Sequence, residues 1–134
     1  MNFTGKILVV DDEAHIRKFV TLLALSLGRT TVIEAPNGEE AVKAYAREKP
    51  DLVLLDVNMP RMDGIQTLQA LRQLDGSCVV IMLTSLVNRQ TVEECLRLGA
   101  AGYLRKDLPH DEMTAQLTQI IADSFTEEPP TTPI

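Results

Sequence analysis

Short apolar runs alternate along this chain with longer stretches in which apolar residues recur every three or four positions. The short runs predict five β-strands, and the third and fourth are almost entirely apolar, which is typical of parallel strands buried on both faces. The predicted strands cover residues 6–10, 30–35, 51–56, 78–83 and 102–105. Because the second run is more polar than the others, it is predicted to lie at an edge of the sheet.

Five helices are predicted, one after each strand, and each carries apolar residues on one face. These apolar positions are Ile16, Val20, Leu23 and Leu27; Ala41, Val42 and Tyr45; Ile65, Leu68, Leu71 and Leu74; Val92, Cys95 and Leu96; and Met113, Leu117, Ile120 and Ile121. The fourth helix is predicted to be buried through its apolar residues, including Leu96. Gly28 and Gly99 are predicted to end the first and fourth helices. Asn37 is predicted to cap the start of the second helix, and Pro50 to stop it.

Strands that alternate with helices predict an α/β fold in which a doubly wound, five-stranded parallel sheet has helices on both faces. The common strand order for such a sheet is 2-1-3-4-5, which makes strands 1 and 3 neighbours where the winding reverses. This order is taken from the fold class, because periodicity cannot reveal it. Residues 1–125 are predicted to form one domain. The Pro- and Thr-rich residues 126–134 are predicted to be a disordered tail or a truncated linker.

Composition narrows the classes of function. The formal net charge of −6 argues against a broad surface for nucleic acid. The apolar run at residues 7–10 is far too short for a membrane span or a signal sequence, so no membrane association is expected. Cys78 and Cys95 lack the spacing of a metal site and are interpreted as reduced thiols in the cytoplasm.

Polar residues collect where the predicted strands end. Strand 1 leads to Asp11 and Asp12, strand 3 to Asp56, strand 4 to Thr84 and strand 5 to Lys106. In the assumed strand order these residues line one crevice. Three carboxylates held together must raise a pKa or recruit a cation. Oxygen-only ligands of high charge favour Mg²⁺, and the lack of a neighbouring His or Cys ligand argues against zinc.

This set of side chains predicts phosphoryl chemistry. A carboxylate beside a bound Mg²⁺ can attack phosphorus, so Asp56 is the candidate nucleophile that would form an aspartyl phosphate. Lys106 can offer a compact positive charge to one phosphoryl oxygen. Thr84 can donate its hydroxyl to another.

The same residues resemble a known family. The sequence is similar to the receiver domains of two-component response regulators from about residue 6 to residue 125. The matching positions are Val10-Asp11-Asp12, Leu55-Asp56-Val57-Asn58-Met59-Pro60, Met62-Asp63-Gly64, Thr84-Ser85, and Tyr103 three residues before Lys106. The resemblance implies a flavodoxin-like fold of the CheY type and makes residues 1–125 a single-domain receiver.

The resemblance also implies roles for the acidic residues. Asp56 would receive a phosphoryl group from a histidine kinase or a phosphotransfer protein. Asp12 and Asp56 would bind Mg²⁺ directly, together with the backbone carbonyl of Asn58, and Asp11 would act mainly through water. The protein would not be an enzyme beyond catalysing its own phosphorylation and slow dephosphorylation.

A conformational switch is implied as well. Thr84 and Lys106 would contact the phosphoryl group, and Tyr103 would turn inward as Thr84 moves toward it. The changed surface would comprise the fourth helix, the fifth strand and the fifth helix. It would serve an unknown downstream protein target or a homodimer formed on phosphorylation.

Two departures from the family pattern stand out. Many members have a proline, often with a cis bond, directly after the lysine, whereas Asp107 follows Lys106 here, so a cis bond is not expected. The positions that tune dephosphorylation in the family are occupied by Asn58 and Leu86.

Two other functions are compatible with parts of the pattern. One is an aspartyl-nucleophile phosphatase of the haloacid dehalogenase type, although its Asp-X-Asp motif is absent at Asp56 and the chain leaves no room for a cap domain. The other is an interaction module that works without phosphorylation. The intact acidic pair, Thr84 and Lys106 weigh against this second alternative.

Overall fold

The computed structural model describes residues 3–85 and 88–125, so the predicted tail at 126–134 and Leu86 lie outside the described residues. Its strands are β1 (Phe3–Val10), β2 (Gly28–Ala35), β3 (Leu52–Asp56), β4 (Val80–Thr84) and β5 (Gly102–Arg105). Its helices are α1 (Ala14–Leu25), α2 (Gly38–Glu48), α3 (Gly64–Leu74), α4 (Arg89–Arg97) and α5 (His110–Ser124). The strands form one parallel sheet in the order β2-β1-β3-β4-β5, which confirms the predicted doubly wound α/β fold.

The burial of the central strands on both faces explains their unbroken apolar sequence. All five residues of β3 are buried, and its side chains alternate between the two faces of the sheet. Val53 and Leu55 join a core that also contains residues of α2, α3 and α4. Leu52 and Leu54 join a second core with residues of α1 and α5. The more polar β2 lies at an edge, as predicted.

Capping residues fix where the helices begin. The side chain of Asn37 accepts a hydrogen bond from the Glu40 N–H at 2.8 Å, which confirms its predicted role. Asp63 and Gln66 form a reciprocal capping box at the start of α3. The Asp63 carboxylate accepts from the Gln66 N–H at 2.9 Å, and the Gln66 side chain accepts from the Asp63 N–H at 3.0 Å. This box anchors the loop that follows β3.

The prediction that Gly28 ends the first helix is wrong. Helix α1 stops at Leu25 with Ser26 as its C-cap, and Gly28 is already the first residue of β2, paired with Phe3. The reason is that β1 begins earlier than predicted. The Phe3 N–H donates to the Leu27 carbonyl at 2.9 Å, so the chain already pairs with β1 at Leu27 and does not continue as a helix. Gly99, by contrast, follows α4 with a φ of 103°, consistent with its predicted role.

The prediction that Leu96 is buried is also wrong. Leu96 is 44% exposed, and Cys95 is the buried residue of α4. Consecutive helical residues point about 100° apart, so a helix that turns Cys95 toward the sheet turns Leu96 away from it.

Within the described ranges, no helix combines the length and the apolar character needed to cross a bilayer.

Candidate functional site

The register of the sheet brings the polar strand ends to one edge. Asp56 ends β3 and pairs with Leu83 of β4, and Asp11 directly follows β1 and donates its N–H to the Ala35 carbonyl at 3.2 Å. Lys106 directly follows β5 and donates its N–H to the Thr84 carbonyl at 2.7 Å. The carboxyl ends of four neighbouring strands therefore meet there, as the sequence predicts.

Lys106 connects two of the carboxylates. Its Nζ lies 3.0 Å from Asp56 Oδ1 and 3.2 Å from Asp11 Oδ2. The side chain of Lys106 is 10% exposed, that of Asp56 2%, and that of Asp11 fully buried. Burial acts to lower the pKa of Lys106, but the hydrogen bonds and charges of Asp56 and Asp11 raise the pKa above its ordinary value. Lys106 is therefore a fixed cation inside the cluster.

Asp56 is an unusually basic carboxylate. Its burial raises its pKa to about 6, and the negative charge of Asp11 acts in the same direction. The hydrogen bond and the charge of Lys106 oppose that rise, as does a long hydrogen bond of 3.4 Å from the Asn58 N–H to Asp56 Oδ1. A further cation at this cluster would favour the ionised form of Asp56.

The acidic residues can hold a metal ion together. Carboxylate oxygens of Asp11, Asp12 and Asp56 all lie within 4.8 Å of one another, and two of these residues are buried while Asp12 is exposed. In the described part of the chain, this is the one group of three such ligands. An all-oxygen set with three negative charges fits a hard divalent cation such as Mg²⁺. The exposed position of Asp12 leaves a side open to solvent, from which an ion can enter.

Thr84 and Tyr103 both border a small cavity, together with residues of α4. Thr84 is buried, whereas Tyr103 is 39% exposed. The cavity has a volume of about 10 Å³, which is close to the smallest that can hold one water molecule. Val92 and Cys95 of α4 line the same cavity.

Arg17 also belongs to this region, although the sequence did not identify it as a candidate. Its Nη1 donates to the backbone carbonyl of Asp11 at 2.8 Å, and its Nε donates to Glu34 Oε1 at 2.9 Å. The available signal was its position on α1, six residues beyond Asp11. That spacing lets the first turn of the helix bring a long side chain back to the end of β1.

Comparison with known proteins identifies the family. The family model for the response regulator receiver domain matches residues 7–118. The chain is 32% identical to the chemotaxis protein CheY of Bacillus subtilis over 116 residues, which cover 87% of this chain and 97% of that protein. It is 42% identical to the alkaline phosphatase synthesis transcriptional regulatory protein PhoP of the same organism, with 89% of this chain matched. In that case the chain spans only 49% of the relative's length.

Solved structures agree with the sequence comparison. A CheX–CheY–BeF3–Mg²⁺ complex from Borrelia burgdorferi matches with a TM-score of 0.81 and 34% identity, covering 91% of this chain and 90% of the other. A LuxR-family two-component response regulator from Aurantimonas matches with a TM-score of 0.83 and 27% identity, covering 90% and 87%. The strand order, the acidic edge of the sheet and these matches lead to one conclusion: the chain belongs to the response regulator receiver domain family.

Proposed function

We propose that this protein is a phosphoacceptor receiver that takes a phosphoryl group from a histidine kinase or a phosphotransfer protein onto Asp56. The observation that carries the proposal is the double contact of Lys106 Nζ with Asp56 and Asp11 beside a third carboxylate, Asp12. A buried carboxylate held next to a fixed cation and a set of metal ligands is suited to phosphoryl transfer. The CheY relative in a complex with BeF3 and Mg²⁺ supports the same assignment.

Asp56 acts as the nucleophile. An oxygen of its ionised carboxylate donates an electron pair to phosphorus, while the bond from phosphorus to the donor imidazole nitrogen breaks and that nitrogen takes up a proton. Lys106 favours the ionised carboxylate before transfer and can pair with a phosphoryl oxygen after it. Asp11, Asp12 and Asp56, with the Asn58 carbonyl, would hold Mg²⁺. When bound, this ion would neutralise charge on the phosphoryl oxygens.

Phosphorylation of Asp56 would then bias the surface formed by α4, β5 and α5. Thr84 lies at the end of β4 and Tyr103 lies in β5, and both border the cavity next to α4, so a shift of Thr84 can reach that surface. The output would be an unknown protein target or a homodimer. The protein would thus be a stoichiometric signalling domain, not a multiple-turnover enzyme, and it would neither enter a membrane nor bind nucleic acid through this chain. The unpaired thiols of Cys78 and Cys95 suit the reducing cytoplasm.

The test is phosphorylation by a small donor. The chain is incubated with acetyl phosphate and Mg²⁺ and its intact mass is measured. We expect the added mass of one phosphoryl group, which disappears in Asp56→Asn and after chelation of the metal. Asp123→Asn is the matched control, because that exposed carboxylate lies near the far end of α5. Continuous hydrolysis of simple phosphate esters would support a phosphatase instead, and no incorporation would support a phosphorylation-independent module.

A further inference from the structure

Arg17 joins three elements beside the acidic cluster. From α1 it donates one hydrogen bond of 2.8 Å to the Asp11 carbonyl at the end of β1 and another of 2.9 Å to the Glu34 carboxylate of β2. Its side chain is 19% exposed, so most of that side chain is withdrawn from water. The planar fork of arginine can make both bonds at once, and the carboxylate of Glu34 fixes the orientation of that fork.

The carbonyl that Arg17 binds belongs to the peptide unit that connects Asp11 to Asp12. The N–H of Asp11 is already held by the Ala35 carbonyl at 3.2 Å, and its side-chain Oδ1 accepts from the Glu13 N–H at 2.9 Å. Because Arg17 binds the carbonyl, both backbone hydrogen-bonding groups of Asp11, the N–H and the C=O, are held by a partner. A planar peptide whose carbonyl is fixed also fixes the direction in which the chain enters Asp12.

We propose that Arg17 is a positioning residue for the divalent-cation site, an inference that rests on the function proposed above. By holding the Asp11–Asp12 peptide, Arg17 keeps both carboxylates within reach of Asp56. In this role Arg17 would act through these residues and would touch neither the metal nor the phosphoryl group. Hydrogen-bond partners that orient metal ligands in this way often affect affinity by one to two orders of magnitude.

Coulomb interactions and positioning predict opposite results for this residue. The positive charge of Arg17 repels a Mg²⁺ ion that enters the neighbouring anionic pocket. Removal of that charge should therefore by itself tighten Mg²⁺ binding. If the main role of Arg17 is to hold the peptide, its removal should instead weaken binding. The sign of the change therefore separates the two roles.

The experiment measures the Mg²⁺ dissociation constant of the full chain by calorimetric titration, well below each variant's unfolding temperature. We expect Arg17→Gln to bind about tenfold more weakly than the wild type. Arg17→Lys keeps the charge but lacks the fork, and we expect it to bind several-fold more weakly. Lys18→Gln is the matched control, because it removes the same charge from an exposed neighbour on α1, and its affinity should stay unchanged or rise slightly.

Circular dichroism without Mg²⁺ should match the wild type in all three variants, which separates a loss of positioning from a loss of folding. If Arg17→Gln destabilises the chain too far to titrate, Arg17→Lys provides the answer. Affinity equal to or tighter than wild type in the Arg17 variants would overturn the inference while leaving the proposed function intact. A wild-type chain that binds no Mg²⁺ would instead refute the proposed function, and this inference with it.

Discussion

Asp56→Asn should make the protein more stable at neutral pH when no divalent cation is present. The substitution keeps the shape of the side chain but removes the charge that burial disfavours. Asp56 is 2% exposed, and its pKa is raised to about 6 from an ordinary value of 3.8 even with Lys106 at 3.0 Å. The native state therefore binds a proton at Asp56 more tightly than the unfolded chain does.

The magnitude follows from this difference in pKa. One pKa unit corresponds to about 1.4 kcal/mol, so ionised Asp56 costs about 3 kcal/mol of native stability. Because the native pKa is the higher one, the cost is absent below pH 3.8, grows as the pH rises, and is complete above about pH 6. Asparagine does not ionise in either state. The variant should thus gain up to about 3 kcal/mol at pH 7.5 and almost nothing near pH 4.

The assay is urea unfolding of both proteins between pH 4 and pH 8 in the presence of a chelator. The quantity compared is the difference in the free energy of unfolding at each pH. Asp123→Asn controls for a change of net charge, because its carboxylate is exposed and its substitution should shift stability by less than about 0.5 kcal/mol. Mg²⁺ should then stabilise the wild type more than Asp56→Asn, because it binds the ionised carboxylate.

Two results would refute this reasoning. If Asp56→Asn unfolds at lower urea concentrations than the wild type at pH 7.5, the contacts with Lys106 outweigh the cost of burial. If the gain in stability is the same at pH 4 and pH 8, it does not arise from ionisation of Asp56.

Two further substitutions test the metal ligands and the loop that carries Asp56. Asp12→Asn should weaken Mg²⁺ binding by at least about tenfold in a titration, because it neutralises one of the three carboxylates proposed to hold the ion, whereas Glu13→Gln, the same charge change next to it, should have a much smaller effect. Gly64→Ala should destabilise the fold by about 1–3 kcal/mol in urea unfolding, because a Cβ there would lie 2.3 Å from the Asp56 carbonyl oxygen. Gly76→Ala, where a Cβ meets no atom within 4 Å, should change stability little, and equal effects at the two glycines would contradict this steric explanation.

Much of the architecture could be predicted because it depends on local patterns. The apolar runs of β3 and β4 indicated strands buried on both faces, and alternation with helical periodicity indicated a parallel sheet. Asn37 could be recognised as a cap because capping involves a side chain and the backbone only three residues away. The errors at Gly28 and Leu96 arose where such local signals compete with packing. Extra pairing of β1 with β2 extended the sheet, and the orientation of α4 exposed a leucine.

The sequence by itself determined which side chains follow the strands, and therefore that Asp11, Asp56 and Lys106 would meet at one edge. Only the tertiary structure decided how they meet. Lys106 bonds to partners 50 and 95 positions away. Arg17 holds a backbone carbonyl, a contact that its spacing from Asp11 allows but does not require. The tertiary structure also decided the raised pKa of Asp56, because desolvation depends on everything packed around the carboxylate. Periodicity is a property of neighbours in sequence, whereas distance, orientation and burial are set by strand register and by the helices that cover the sheet.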